Sequence, residues 1–331
     1  MLNVLVAGTG SIGRRHVSSI RTLEPDSRLI LLRASGAEDD YSREIGATVV
    51  ADFGAAARLA PDCIVVATPS FLHTDLVVEA LAAGLPAYVE KPVVTNAADL
   101  ERVAAALARR SPADGPLATM CGCNLRFLPS LRAVRDRVRG GAIGRVVRAS
   151  FQVGQWLPDW RPHADYRLSY SALAARGGGV VLDLVHELDA ARWILGDFDR
   201  LVALGGHRSH LEIDAEDVAV IALSRDAGPV VAVGLDYIAR VPIRRYEFIG
   251  EEGTLCWELP ARRIELQSTL GAQPVNLDAT AYDVSATYLT AMREFLEAVR
   301  THQITSQDLG DGLRSAALAI RANEVIRSCR S

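Results

Sequence analysis

The sequence predicts an α/β N-terminal Rossmann domain with a doubly wound parallel sheet, followed by an α+β domain with an open, mostly antiparallel sheet. Up to about residue 123, short β-rich runs alternate with longer helical runs, as in βαβ units. Beyond that point the runs are short and alternate in polarity, with hairpin-like breaks at 226–228 and 251–253, which is typical of antiparallel strands. We therefore predict a dinucleotide-binding domain at 1–123 and a substrate-binding and oligomerisation domain at 124–331.

The first predicted domain contains six short, apolar, β-rich runs. The two clearest helical runs, 74–83 and 97–110, lie between the later strands, which favours a parallel sheet covered by helices. The predicted strands are 3–7, 29–33, 48–51, 63–67, 87–90 and 117–121.

The second predicted domain has helices on one face of its sheet only. The other face would need a cover, which a homodimer or homotetramer supplies. The alanine-rich runs 287–300 and 312–327 are predicted helices. The predicted strands are 146–153, 201–204, 218–223, 230–237, 244–248 and 254–258.

Composition and charge exclude several classes of protein. The 331 residues carry a formal net charge of −4, which gives no electrostatic reason to bind nucleic acid or an anionic membrane. No apolar stretch approaches the ~20 residues of a transmembrane helix, and the first residues lack the features of a signal peptide. Five scattered cysteines indicate reduced thiols in a cytoplasmic protein. Cys121 and Cys123 could bind a metal or undergo redox chemistry, but no second ligand cluster accompanies them, so we predict no metal.

The first predicted strand leads directly into a glycine-rich turn. Residues 8–13 have the pattern G-x-G-x-x-G and open a helix. The glycines allow a tight turn, close approach of the backbone to a pyrophosphate, and packing of the helix on the strand, while the helix N-terminus offers N–H groups to phosphates. Because a strand precedes the pattern and a helix follows it, we predict a dinucleotide site.

The end of the second predicted strand bears on which dinucleotide binds. NAD enzymes usually carry an acid about 20 residues after the glycines, but that position is Arg33, and Ser35 follows it. These two residues could hold a 2′-phosphate through charge-assisted hydrogen bonds. Arg33 could instead stack on adenine, which would permit either cofactor. We favour NADP(H) over NAD(H).

Two further segments carry chemistry. Lys91 follows the fifth predicted strand, at the carboxyl edge where open parallel sheets form their sites. The run Gly177–Gly179 opens a predicted helix in which His186 lies three residues from both Asp183 and Asp189. A histidine oriented by a carboxylate is typical of a general base, although the pattern also suits a solvated amphipathic helix.

An aromatic and charged loop, 156–167, precedes the glycine run. Its tryptophans, tyrosine and arginines suit stacking on a sugar ring and pairing with a phosphate or carboxylate. We predict Arg161, Tyr166 and Arg167 as substrate contacts. The alternative is a lid whose aromatic side chains simply pack.

Together these motifs resemble the glucose–fructose oxidoreductase / inositol dehydrogenase / rhizopine-catabolism (Gfo/Idh/MocA) family of NAD(P)-dependent oxidoreductases. The resemblance covers nearly the whole chain. The motifs that carry it are Gly8–Gly13 with Arg14-Arg15-His16, Ala67-Thr68-Pro69-Ser70 with His73, Glu90-Lys91-Pro92, Asn124–Pro129, Ile143-Gly144 and Gly177–Asp189.

The resemblance implies a role for individual residues. His186 would be the proton carrier, Lys91 would reach the reacting hydroxyl, and Asp183 would bind substrate and orient the histidine. Arg126 is a further predicted substrate contact. The residues implied for the cofactor site are Gly8, Gly10, Ser11, Ile12, Gly13, Thr68, Pro69, His73, Glu90, Lys91 and Asn124.

One departure from the family pattern concerns the catalytic aspartate. In most members it stands four residues before the histidine, a position held here by Leu182, whereas Asp183 is three residues before His186. Both spacings keep the pair on one face of a continuous helix. Glu187 or Asp189 could share the role of Asp183.

The predicted function is hydride transfer between a nicotinamide cofactor and a secondary alcohol or ketone of a sugar, amino sugar, nucleotide sugar or cyclitol. A reductase of a non-sugar carbonyl or imine is the first alternative. A dinucleotide-binding sensor that has lost turnover is the second.

Overall fold

The computed structural model describes residues 1–110, 115–160, 162–268 and 271–329. The chain divides into two compact units. The first unit comprises Met1–Asn124 and Ser285–Ala316, and the second comprises Leu125–Val284 and Ala317–Ser331. No helix in the described ranges combines the length and apolar character needed to cross a membrane.

The first unit is built on a parallel sheet. Its strands in the described residues are β1 (Asn3–Ala7), β2 (Arg28–Leu32), β3 (Thr48–Val50), β4 (Cys63–Val66), β5 (Ala87–Val89) and β6 (Thr119–Cys121). Their order is β3-β2-β1-β4-β5-β6, the order of a doubly wound sheet. The central strands β1 and β4 are almost wholly buried, because a parallel sheet is covered on both faces. This confirms the predicted N-terminal fold.

The described residues form α-helices in both units. In chain order they are α1 (Ser11–Leu23), α2 (Asp40–Glu44), α3 (Phe53–Ala57), α4 (His73–Ala82), α5 (Ala97–Ala108), α6 (Pro129–Arg139), α7 (Val180–Asp183), α8 (Val185–Leu195), α9 (Val284–Thr301) and α10 (Leu309–Ser328).

The second unit contains a mostly antiparallel sheet, as predicted. Its strands in the described residues are β7 (Val146–Gly154), β8 (Arg200–Gly206), β9 (Val218–Ser224), β10 (Val230–Asp236), β11 (Ile243–Gly250), β12 (Gly253–Glu258), β13 (Arg263–Ser268) and β14 (Gly271–Pro274). The order is β14-β13-β12-β11-β7-β10-β9-β8, and only β7 with β10 is a parallel pair among these strands. One face packs around aromatic side chains such as Phe151 and Trp257.

Two features of the second unit differ from the prediction. The strands β13 and β14 were not predicted, because β13 buries little more than Ile264 and has weak apolar alternation. The single helix expected after Gly179 is interrupted at Leu184, whose φ of −99° and ψ of 33° separate α7 from α8.

The C-terminal segment Ser285–Ala316 packs with the first unit, whereas we assigned it to the second domain. The edge strand β6 accounts for the difference. The Cys121 backbone N–H donates to the Gln307 carbonyl, and the Cys121 carbonyl accepts from the side-chain Nε2 of Gln307. The Thr305 hydroxyl donates to the Thr119 carbonyl. The segment thereby satisfies polar groups that an edge strand leaves unpaired.

Candidate active site

The glycine turn joins β1 to α1. Gly8 has a φ of +93°, and a Cβ there would lie 2.6 Å from the Ala67 carbonyl oxygen. A Cβ on Gly13 would lie 2.0 Å from the Gly8 carbonyl oxygen. Both positions therefore require glycine for packing. In contrast, a Cβ on Gly10 would meet nothing within 4 Å, so this side of the turn is open.

The N-terminus of α1 fits an anion. Gly10 caps the helix without a side-chain hydrogen bond, and the first turn, which begins with Ser11 and Ile12, contains no acidic residue. Backbone N–H groups at such a terminus have no partner within the helix and bind phosphates well. The open space beside Gly10 and this terminus together fit the pyrophosphate of a dinucleotide.

Arg33 lies at the end of β2 and forms an ion pair with Asp39. The Arg33 Nη1 and Asp39 Oδ2 atoms are 2.8 Å apart. Asp39 also caps α2, accepting a hydrogen bond from the Ser42 backbone. That bond, followed by the contact with Arg33, lowers the pKa of the Asp39 carboxyl. The Ser35 hydroxyl accepts a hydrogen bond from the Ala37 backbone. The side chains of Arg33 and Ser35 therefore both have partners within the first unit.

His73 connects the loops that follow β4 and β5. Its ring is fully buried, with Nε2 2.9 Å from the Thr68 carbonyl and Nδ1 3.1 Å from the Pro92 carbonyl. Burial lowers the pKa of this imidazole. Both ring nitrogens are engaged by backbone, so His73 holds the residues after Lys91 in place beside Thr68 and Pro69.

The Glu90 side chain is buried in the first unit and contacts the backbone of Lys91. Its Oε1 lies 2.7 Å from Nε2 of His16, a fully buried residue of α1, and its Oε2 accepts a hydrogen bond from the Lys91 backbone. A Cβ on Gly122 would lie 3.0 Å from the Glu90 carboxyl group. We noted His16 only as part of a motif. Its spacing from Ile12 and Ile20, four residues on either side, could have placed it on the buried face of α1.

Asn124 is the last residue of the segment Met1–Asn124 of the first unit. It is buried, and its Nδ2 donates a hydrogen bond of 2.7 Å to the Thr287 hydroxyl of α9. This partner is not predictable from local sequence, because 163 residues separate Asn124 and Thr287.

His186 is the second residue of α8. From Val180 to Arg192 every residue except His186 is buried. The helix pair therefore presents one partly accessible titratable side chain on an otherwise buried segment. Gly179, at φ +111°, packs so tightly against Glu216 that a Cβ would lie 2.2 Å from its Oε1, which explains why glycine precedes α7.

The three carboxylates near His186 in sequence each have a buried partner in the second unit. Asp183 accepts a hydrogen bond of 2.7 Å from the Tyr237 hydroxyl. Burial, and then Asp183, raise the pKa of that phenol well above its usual range, so it stays protonated and donates. Glu187 accepts from the Tyr246 hydroxyl and pairs with Arg244 at 2.8 Å.

Asp189 forms the third of these contacts, with Arg126. The guanidinium donates through Nε at 2.8 Å and Nη2 at 2.6 Å to the two carboxylate oxygens, and both side chains are buried. Such bidentate pairs are strong and directional. Arg126 stays a predicted substrate contact, and in the structure its guanidinium pairs with this buried carboxylate.

The loop before the glycine run lines a cavity of about 230 Å³. Tyr166 lines it and accepts a hydrogen bond from the Glu212 backbone through its hydroxyl. Arg167 pairs with Asp165 at 2.9 Å and Glu212 at 3.1 Å. Arg161 lies outside the described residues. Trp160, one of the loop tryptophans expected to suit stacking on a sugar ring, lines the cavity and packs edge-on against Tyr237.

The strand order and the glycine turn are those of a dinucleotide-binding domain. A family model described as "Oxidoreductase family, NAD-binding Rossmann fold" matches residues 2–113, and the GFO/IDH/MocA C-terminal domain matches 131–256. Together these matches cover more than half of the chain. The protein belongs to the GFO/IDH/MocA family and is an NAD(P)-dependent oxidoreductase.

Individual relatives are dehydrogenases and reductases of sugars and cyclitols. Inositol 2-dehydrogenase 2 of Saccharopolyspora erythraea is 28% identical over 96% of this chain and 91% of its own length. The 1,5-anhydro-D-fructose reductase of Ensifer adhaerens is 27% identical over 78% of this chain and 75% of its own. The structure of levoglucosan dehydrogenase with NADH and levoglucosan superposes with a TM-score of 0.83 at 19% identity, covering 99% of this chain and 97% of that one.

Proposed function

We propose that the protein transfers hydride between NAD(P) and a secondary alcohol of a sugar or cyclitol, or the corresponding ketone. The observation that carries this proposal is His186, a partly accessible imidazole in a segment that is otherwise buried. The bound nicotinamide would supply the hydride acceptor or donor. The protein's own residues must then move the hydroxyl proton and stabilise the charge on oxygen.

His186 takes the hydroxyl proton during oxidation and returns it during reduction. An imidazole suits this task because its unperturbed pKa lies near neutral pH. Asp183 orients the imidazole and binds substrate, and Tyr237 fixes the Asp183 carboxylate. Glu187 and Asp189 are held by Arg244 and Arg126, which supports Asp183 as the assisting carboxylate.

Lys91 donates a hydrogen bond to the reacting oxygen. An ammonium group placed where negative charge develops stabilises an alkoxide-like transition state. Two contacts support a fixed position for the Lys91 backbone. Glu90 accepts from its N–H, and His73 binds the carbonyl of the next residue, Pro92.

A substrate screen tests this function. The purified chain is incubated with NAD+ or NADP+ and a panel of inositols, aldoses, amino sugars and anhydrosugars, and absorbance at 340 nm is followed. We expect turnover with at least one polyol. Dinucleotide binding without turnover on any polyol would reject the proposal. In that case, reduction of a non-sugar carbonyl or imine would favour a different reductase, and no reduction at all would favour a sensor.

We propose that NADP(H) is the preferred cofactor. Arg33 engages Asp39 through Nη1, and a guanidinium has five N–H donors in a planar fork, so a second edge serves the 2′-phosphate. Arg33→Ala is expected to weaken NADPH binding about 10- to 100-fold, since hydrogen bonds to charged groups contribute about 1.5–3 kcal/mol.

Fluorescence titration with both dinucleotides measures this effect. The affinity for NADH should change by less than about threefold, since it has no 2′-phosphate to lose. Arg43→Ala, which breaks an exposed ion pair with Asp40, is the matched control and should leave both affinities unchanged. Equal losses for NADPH and NADH in Arg33→Ala would contradict the proposed preference.

We propose that the protein forms a homodimer or homotetramer through the outer face of the second sheet. This face exposes apolar side chains on adjacent strands, with Val202 65%, Leu204 66%, Val220 56% and Val230 58% exposed. Leu204 and Val220 lie opposite each other in register. A patch of this kind is costly to leave in water and suits a second copy of the chain.

Light scattering after gel filtration tests the oligomer. We expect the double variant Leu204→Lys, Val220→Lys to have a lower mass than the wild type, because charges would be buried in the interface. Val241→Lys, at a position 76% exposed between β10 and β11, serves as the control and should keep the wild-type mass. A monomeric wild type would contradict the proposal.

The proposed location is the cytoplasm. All five cysteines carry free thiols, as is usual for proteins of reducing compartments.

A further inference from the structure

Glu216 lies two residues before β9 and contacts the start of α7 in the second unit. Its Oε1 accepts a hydrogen bond of 3.2 Å from the Val181 backbone, and its carbonyl accepts one of 2.9 Å from Val180. The carboxylate also fills the space that a side chain on residue 179 would need. Glu216 therefore fixes the first turn of the helix that ends in Asp183.

The carboxylate of Glu216 is buried but well supported. Glu216 is 8% exposed, and this burial raises the pKa of its carboxyl group. Asn323 of α10 donates a hydrogen bond to it, and Arg327 lies close enough to favour its charge. A buried acid of this kind is costly and needs a structural or functional reason.

The next residue, Asp217, supports the partner of Asp183. Its carbonyl accepts a hydrogen bond of 2.9 Å from the Tyr237 backbone, and the Tyr237 hydroxyl donates to the Asp183 carboxylate. The Asp183 backbone donates to the Gly179 carbonyl at 3.1 Å, one turn from the Glu216 contact. Two consecutive residues thus hold both the backbone and the side-chain partner of Asp183.

We propose that Glu216 is a positioning residue for catalysis: with Asp217, it sets the place of the Asp183 carboxylate through the start of α7. This inference rests on the proposed function, in which Asp183 orients His186 and the substrate. Glu216 would act through α7 and Asp183, without contacting the substrate or the cofactor. Its loss should therefore affect the chemical step more than dinucleotide binding.

Three variants test the proposal. Glu216→Asp shortens the side chain by one methylene, so that its carboxylate no longer reaches Val181. Glu216→Gln keeps the length, retains an oxygen for Val181, and can donate to Asn323 Oδ1, which has no hydrogen-bond partner within the described residues. Ser130→Ala is the matched control, since it removes a buried hydrogen bond from Trp257 in the same unit.

Steady-state kinetics and hydrogen exchange give two independent readouts. We expect Glu216→Asp to lower kcat about 10- to 100-fold, as misplaced catalytic groups do, with the Kd for NADPH unchanged. The kcat of Glu216→Gln should lie closer to the wild-type value than to that of Glu216→Asp. Exchange of the backbone amides in 179–190 should accelerate in Glu216→Asp but not in Glu216→Gln or Ser130→Ala.

Two results would overturn the role of Glu216. One is Glu216→Asp with unchanged kcat and unchanged exchange in 179–190. The other is a Ser130→Ala variant that has the melting temperature of Glu216→Asp and loses the same fraction of kcat. The loss of kcat would then follow from lower stability and not from the contact between Glu216 and α7. A wild type that binds dinucleotide but turns over no polyol rejects the proposed function, and the exchange data then still decide whether Glu216 holds this segment.

Discussion

His186→Ala is expected to lower kcat by about 10²- to 10⁴-fold, the range typical for loss of a general acid–base residue. The Kd for NADPH should stay unchanged, because the glycine turn and α1 belong to the first unit. His186→Gln should lose as much activity as the alanine variant, since it restores volume and polarity but cannot exchange a proton near neutral pH.

The control for this experiment is another histidine. His302 is exposed in the loop after α9 and has a φ of +52°, a conformation that asparagine tolerates. His302→Asn should retain wild-type kcat. Turnover of His186→Ala within about threefold of wild type would remove His186 from the mechanism and leave Lys91 without a proton carrier.

Gly10→Ala is expected to abolish most dinucleotide binding without unfolding the protein. A Cβ at this position meets nothing within 4 Å, and Gly10 has a φ of −67°, which alanine adopts freely. The methyl group would instead occupy the space for the pyrophosphate. We expect NADPH affinity to fall about 10²-fold, or about 2.8 kcal/mol, with a melting temperature within a few degrees of wild type.

Gly13→Ala is the matched comparison, three residues away in the same turn. Its Cβ would lie 2.0 Å from the Gly8 carbonyl oxygen, so the helix would have to move away from β1. This variant should lower the melting temperature strongly, as steric overpacking does. Fluorescence titration and thermal melting separate the two effects. Normal NADPH binding by Gly10→Ala would place the dinucleotide elsewhere.

The first unit was largely predictable because its signals are local. The glycine turn lies between a strand and a helix that are adjacent in sequence, and buried parallel strands have continuous apolar runs. The position of Lys91 followed from the same strand order. His16, in contrast, pairs with Glu90, which is 74 residues away in sequence. No local sequence pattern predicts such a partner.

The candidate catalytic segment was predicted in place but not in detail. His186 and its three acids are visible in sequence, whereas their partners are distant. Tyr237 lies 54 residues from Asp183, and Arg126 lies 63 residues from Asp189. These contacts depend on the packing of α7 and α8 against the sheet and α6, which sequence spacing does not encode.

The interruption at Leu184 changes the meaning of the shortened spacing. Residues three apart, such as Asp183 and His186, share a face only where the helix is continuous. In the structure Asp183 ends α7 and His186 lies in α8, so the direction of Asp183 is set by the break and by Tyr237. Asp183 can therefore assist His186 at a spacing of three residues because the break at Leu184 and the hydrogen bond from Tyr237 orient its carboxylate.

The most direct test of the account is the fate of the substrate hydrogen. A polyol that the screen identifies is synthesised with deuterium on its carbinol carbon and incubated with the protein and the oxidised dinucleotide. Mass spectrometry of the reduced cofactor should show one deuterium at nicotinamide C4, while His186→Ala should transfer it at a rate lower by the same factor as kcat. Reduced cofactor without the label would contradict direct hydride transfer, and with it the central claim.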